Sequence, residues 1–127
     1  MIHGGSHIIF SRKDVRPAQT RLLLDKGYLP VSLDHRMCPE VKLVEGPMVD
    51  ILDALRWARD ELPRLVSERF GLEVDEERLA VVGWSSGGQL AMSLGWTAPS
   101  KGIKPPDVIL AFYGPSCLLY TSPSPRD

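Results

Sequence analysis

The sequence predicts an α/β fold, a parallel sheet of about four strands with flanking helices. Three observations carry that expectation. Strand-like and helix-like segments alternate along the chain, which argues for strands joined by helical crossovers. Leu79–Val82 is an uninterrupted apolar run, as expected of a parallel strand buried on both faces. Eleven glycines and eleven prolines in 127 residues supply the tight turns that such alternation needs.

Taken in order, Ile2 reads as the stub of a first strand. Val15–Lys26 reads as a helix, with Asp14 as N-cap, Pro17 in the first turn and Gly27 ending it. Tyr28–Leu33 is a short β-rich run interrupted by Pro30, and a loop follows over Asp34–Glu45. Gly46-Pro47 opens a second helix. Its apolar positions Met48, Ile51, Leu52, Leu55, Ala58 and Leu62 fall three and four apart, on one face. Pro63 kinks or restarts that helix, and Phe70-Gly71 closes it. Leu79–Val82 then gives a strand, Ser86–Thr97 a helix, Pro99–Pro106 a loop and Val108–Phe112 a further buried strand. No internal repeat is visible.

The folded domain is expected to span residues 1–115. Residues 116–127 (SCLLYTSPSPRD) have no amphipathic period and resemble translated adapter read-through; they read as a disordered or artefactual tail.

Composition narrows the function. Fifteen Lys and Arg against sixteen Asp and Glu leave a net charge of −1, with no positive excess to neutralise a phosphate backbone, so nucleic acid is not an expected partner. Apolar runs are only a handful of residues long, too short to cross a bilayer. Cys38 and Cys117 are too few for a disulfide framework or a thiolate metal site, and neither metal nor organic cofactor is expected. The first residues have neither a charged stretch nor an apolar core of signal-peptide type. The Gly pair at 4–5 leaves little room for the strand before it. The expectation is a chain cut at both ends, from a cytoplasmic parent.

The strongest chemical signal is Gly83-Trp84-Ser85-Ser86-Gly87-Gly88, a G-x-S-x-G between a strand and a helix. The bare pattern is weak, but its placement is informative. Reversing from strand to helix in about two residues forces the serine into a strained conformation. Side chains two positions before or after it would collide with neighbouring backbone, hence Gly83 and Gly87. The turn lifts the Ser85 hydroxyl above the carboxyl end of the sheet. It also aims the Ser86 N–H and the positive end of the helix at the same point. Gly88, Ala91 and Gly95 would let that helix lie close on the sheet.

His3-Gly4-Gly5 is the second signal. Adjacent glycines can turn N–H groups inward, because no Cβ blocks the approach. A tetrahedral oxyanion needs two or three such donors, and losing one costs about 3 kcal/mol of transition-state stabilisation. The third, Asp34-His35-Arg36-Met37-Cys38-Pro39-Glu40, reads as an Asp–Arg pair tying a loop to the sheet. Cys38 reads as a free thiol.

Together, HGG, D-x-R-x-x-P-E and G-x-S-x-G-G resemble the hormone-sensitive-lipase-like branch of the α/β-hydrolases, across residues 1 to about 115. Trp84, the Arg16-Pro17-Ala18-Gln19-Thr20 stretch and Leu90-Ala91-Met92-Ser93 are similar to the esterase or thioesterase-like carboxyl-terminal domains of fungal non-reducing polyketide synthases. The resemblance implies a partial α/β-hydrolase fold with Ser85 as nucleophile and the N–H groups of Gly4, Gly5 and Ser86 as the oxyanion hole. It also implies a small acyl ester or thioester substrate and, in a synthase, an acyl carrier protein as partner. Two positions depart from the pattern: Ser6 replaces a third Gly, and Trp84 a common Asp. Serine at that first position also occurs in the gibberellin receptors, relatives that bind a ligand without hydrolysing it.

The acid and base are not evident. A serine needs a base, and the base a carboxylate, in the order Ser…Asp/Glu…His for this fold. No histidine follows Ser85, and the carboxylates that follow it are Asp107, at the start of a strand, and Asp127. His3, His7 and His35 all precede it. His3 reads as shaping the glycine loop. The chain therefore reads as a hydrolase fragment that is inactive or nearly so.

Overall fold

The computed structural model describes residues 1–116. Its elements are α1 (Pro17–Asp25), α2 (Pro47–Asp60), α3 (Leu62–Phe70), β1 (Ala80–Trp84), α4 (Ser86–Ser100) and β2 (Val108–Phe112). β1 and β2 are parallel, in register from Ala80 opposite Val108 to Trp84 opposite Phe112. Ile2 forms parallel bridges to Leu33 on one side and Gly83 on the other. The order across the sheet is thus Leu33, Ile2, β1, β2: four strand positions, two of them reduced to a single bridge. The tail expected over 116–127 lies outside the described residues apart from Ser116.

Most elements stand where the sequence puts them, and the differences have local causes. The helix expected from Val15 begins at Pro17, because the residue before a proline is pushed out of the helical region; Arg16 sits at φ −74°, ψ 126°. Asp14 does not cap it, since its carboxylate accepts the Ser11 N–H at 2.6 Å instead. The expected Tyr28–Leu33 strand shrinks to the Leu33 bridge. Pro30 has no N–H to donate, and the partner strand, Met1–Ile2, ends as the chain enters the glycine turn. Pro63 restarts the helix, as α3, and Gly71 closes it in the left-handed conformation at φ 65°. α4 runs past the expected Thr97 to Ser100, with Pro99 inside its last turn.

The core lies on one face of the sheet. α2 contributes Ile51, Leu52 and Leu55, α4 contributes Leu90, Ala91, Leu94 and Ala98, and these close over Ile2 and Val81. Burial of both faces, expected for Leu79–Val82 and Val108–Phe112, is not found. Val81 and Gly83 are buried while Val82 and Trp84 are only half-buried, and Val108, Leu110 and Phe112 are exposed. α1 packs against no other described helix or strand. A groove of about 520 Å3 opens between it and the bare face, lined by Leu22, Leu23, Tyr28, Trp84, Leu110 and Phe112 among others. Among the described residues, no helix is long and apolar enough to cross a membrane.

Candidate active site

At the end of β1 the chain reverses through Ser85, which has φ 53° and ψ −122° and is the residue preceding α4. A non-glycine residue held there costs about 1–3 kcal/mol, so its surroundings must enforce it. They do so from three sides. The Ser85 N–H donates to the Phe112 carbonyl at 2.9 Å, and its carbonyl accepts the Gln89 N–H at 3.1 Å. A Cβ on Gly83 would collide with the Gly87 carbonyl, and one on Gly87 with the carbonyls of both Ile2 and His3. Only at glycine can three backbones approach this closely. Gly88 is also tight: a Cβ there would lie 3.1 Å from Gly114 and 3.2 and 3.3 Å from the Gly83 and Phe112 carbonyls, the close helix-to-sheet approach expected of it, although the sequence does not point to Gly114 as a partner. Gly95 is exposed and in ordinary contact with Ile109, so the close packing expected there is not needed.

The glycine turn lies beside this serine. A Cβ on Gly4 would come 2.9 Å from the Trp84 carbonyl oxygen and 3.2 Å from the Ser85 Cβ. Gly5 has φ +111° and would drive a Cβ into the Ile9 carbonyl. Among the described residues, the N–H groups of Gly4, Gly5 and Ser86 donate to no other backbone group outside the helices and strands. Ser85 is half-buried, and the Ser86 hydroxyl is buried without a partner. The structure therefore brings Gly4 to Ser85 across a long separation in sequence, with Gly5 next to it in the chain.

A profile of the family described as alpha/beta hydrolase fold matches residues 1–127. The chain belongs to this family. It is 59% identical over 123 residues to a non-reducing polyketide synthase (ausA) of Aspergillus calidoustus, a match covering 97% of the chain and 5% of the synthase. Identity is 58%, with the same coverage, to a non-reducing polyketide synthase (trt4) of Aspergillus terreus. The chain thus spans about one-twentieth of the length of these curated relatives. A bacterial heroin esterase superposes with a TM-score of 0.70 at 27% identity, over 87% of the chain and 32% of the esterase. Carboxyl esterase 2 of the fungus Tuber melanosporum shares the fold, with a TM-score of 0.68 at 22% identity, over 89% of the chain and 35% of that protein.

Within this α/β-hydrolase chain the other singled-out residues serve mainly as scaffold. His3 is 1% exposed and its Nδ1–H donates to the Gly4 carbonyl at 2.7 Å. Its ring stacks on that of His35 with centroids 4.5 Å apart and 9° between planes. Neither imidazole hydrogen-bonds Ser85. Burial pushes the His35 pKa down, helped by the neighbouring His3 and His7 against the opposing pull of the Arg36 carbonyl.

The expected Asp34–Arg36 pair is not formed. Asp34 accepts the Arg12 N–H at 2.6 Å and pairs with the Arg12 guanidinium, bonds that hold its carboxyl below the usual carboxylate value. Arg36 turns the other way, to Asp50 in the first turn of α2: its N–H and guanidinium bond that carboxylate at 2.7 to 3.1 Å. Burial alone would raise Asp50, but these bonds outweigh it and lower its pKa. The two side chains thus tie the 34–36 segment in opposite directions, to the 11–14 turn and to α2. Each side chain is taken up by the nearer oppositely charged partner that the fold supplies, Arg12 for Asp34 and Asp50 for Arg36.

Asp107 sits where its position before a strand puts it. Its carboxylate accepts the Leu79 N–H at 2.8 Å and pairs with Arg59, at the amino end of the ladder whose carboxyl end carries Ser85. Asp127 and Cys117 lie outside the described residues.

Proposed function

We propose that this chain carries the nucleophile and oxyanion hole of a serine hydrolase acting on a small acyl ester or thioester. The single observation behind this reading is the strained, half-buried Ser85 with Gly4 packed against it, in a turn where the N–H groups of Gly4, Gly5 and Ser86 make no other backbone hydrogen bond among the described residues. The Ser85 oxygen attacks the acyl carbonyl and loses its proton to a base. The carbonyl oxygen takes the negative charge and is held by the three N–H groups. Collapse expels the alcohol or thiol, which takes up a proton and leaves an acyl-serine that water hydrolyses. Among the described residues no histidine hydrogen-bonds Ser85, so the chain alone is read as inactive or nearly so. Asp107 is at the wrong end of the sheet, and the three histidines bond elsewhere, His3 to the Gly4 carbonyl, His7 to Gln89 and His35 to the Arg36 carbonyl.

The kinship with polyketide synthases supports a thioester presented by an acyl carrier protein. The experiment compares the chain alone with the same chain extended by its downstream reading frame. The longer protein should hydrolyse p-nitrophenyl acetate and take a fluorophosphonate label at Ser85, while Ser85→Ala abolishes both. A longer protein that is unlabelled yet folded would overturn this in favour of a non-catalytic, gibberellin-receptor-like ligand binder, the reading that Ser6 and the absence of histidine after Ser85 favour.

A further inference from the structure

The glycine turn is a strained object. Gly5, Ser6 and His7 follow one another at φ +111°, 55° and 64°, and Phe10 returns to φ 77°. Side-chain-bearing residues stay in that region only where contacts over-determine it. The turn closes internally, with the N–H groups of Ile8 and Ile9 both donating to the Gly5 carbonyl at 2.9 and 3.1 Å. Those bonds shape the turn and do not place it relative to Ser85.

His7 does. Its carbonyl accepts the Cys38 N–H at 2.8 Å, fastening the turn to the loop beyond Leu33. Its ring Nε2–H donates to Gln89 Oε1 at 2.9 Å, reaching across to the first turn of α4. The Gln89 N–H in turn donates to the Ser85 carbonyl at 3.1 Å. Two consecutive hydrogen bonds therefore connect the segment bearing Gly4 and Gly5 to the residue bearing the hydroxyl.

We infer that His7, through Gln89, is the positioning residue that holds the oxyanion-hole turn in place over Ser85. This rests on the reading of Ser85 as nucleophile, but the clasp itself can be tested without turnover. Hydrogen exchange in the 127-residue chain is the direct measurement. Gln89→Ala keeps a good helix former in α4 and removes only the acceptor. It should speed exchange at the Ile8, Ile9 and Cys38 amides on the order of tenfold, what one lost hydrogen bond amounts to, while Val82 and Leu94 keep their rates. His7→Phe, which keeps the bulk of the ring without its donor, should do the same, and the double variant should be no faster than either. Gln89→Glu retains the oxygen and should restore protection. In the catalytically complete protein, Gln89→Ala should lower kcat on the order of tenfold with KM unchanged, as expected when only transition-state contacts are misaligned. Wild-type exchange at the three loop amides in Gln89→Ala, or additive effects in the double variant, would overturn the inference. A protein that showed the loop effect but took no phosphonate at Ser85 would overturn the nucleophile reading and leave the clasp standing.

Discussion

The two faces of the sheet are unlike. On one, α2 and α4 seal Ile2, Val81, Leu90 and Leu94 to a few per cent exposure. On the other, Leu110 and Phe112 stand 51% and 40% exposed across a groove from α1, a helix that packs against no described helix or strand. Both faces carry the same kinds of residue, so composition does not separate them. Coverage does. The covered face is also where the backbone of the Ser85 turn is locked, since Gly83, Gly87 and Gly88 interlock with Ile2, His3 and Gly114 beneath α4. The geometry at the serine is therefore sustained from one side of the molecule, and the bare side should contribute little to it.

The largest test of this contrast is Gly87→Val. Its side chain would enter the carbonyls of Ile2 and His3, and the Ile2 carbonyl also accepts the Trp84 N–H within the sheet. We expect a loss of roughly 4–5 kcal/mol, measured by urea denaturation, with any Ser85 reactivity lost as well. Leu94→Ala, at a site 1% exposed, should cost about 3 kcal/mol through the cavity it leaves.

A smaller effect should appear with pH. The folded His35 has a lowered pKa, so below its ordinary value of 6.5 the unfolded chain takes up a proton that the fold resists. Its stabilising contribution is complete above pH 6.5 and drains away as pH falls. The Met1 amine, which donates to the Val31 carbonyl and is pushed by burial from 8.0 to about 6, acts in the same direction between those values. His35→Phe should flatten the stability profile below pH 6.5 and leave the higher range unchanged, as read by thermal melts across pH 4.5–8.5 with an uncertainty of about 0.3 kcal/mol. Smallest of all is Leu110→Ala on the bare face, expected to stay within about 0.5 kcal/mol. If it instead matched Leu94→Ala, the contrast between the faces would be gone.

Much of this was legible in the sequence because it depends on local sterics. Gly83, Ser85 and Gly87 announce a sharp strand-to-helix reversal whatever surrounds them, and the periodicity from Met48 to Leu62 finds the covered face of α2. What stayed hidden depends on partners distant in the chain. Asp34 and Arg36 looked like a pair because they are two apart, yet the fold brings each a charged partner from elsewhere in the chain, Arg12 and Asp50. The apolar run at Val108–Phe112 announces a strand but cannot say whether both of its faces are covered. The His3–His35 stack and the His7–Gln89 bond join residues with no local pattern between them. A histidine in the glycine turn together with a polar residue one helical turn after the serine was the only available hint of the latter.

The central claim is that the Ser85 oxygen faces the N–H groups of Gly4, Gly5 and Ser86. A crystal structure of the phosphonylated, downstream-extended protein tests it most directly. The account predicts a phosphonate on Ser85 whose non-bridging oxygen lies about 2.7–3.1 Å from those three nitrogens. An adduct whose oxygen turns away from Gly4 and Gly5 toward solvent would contradict it.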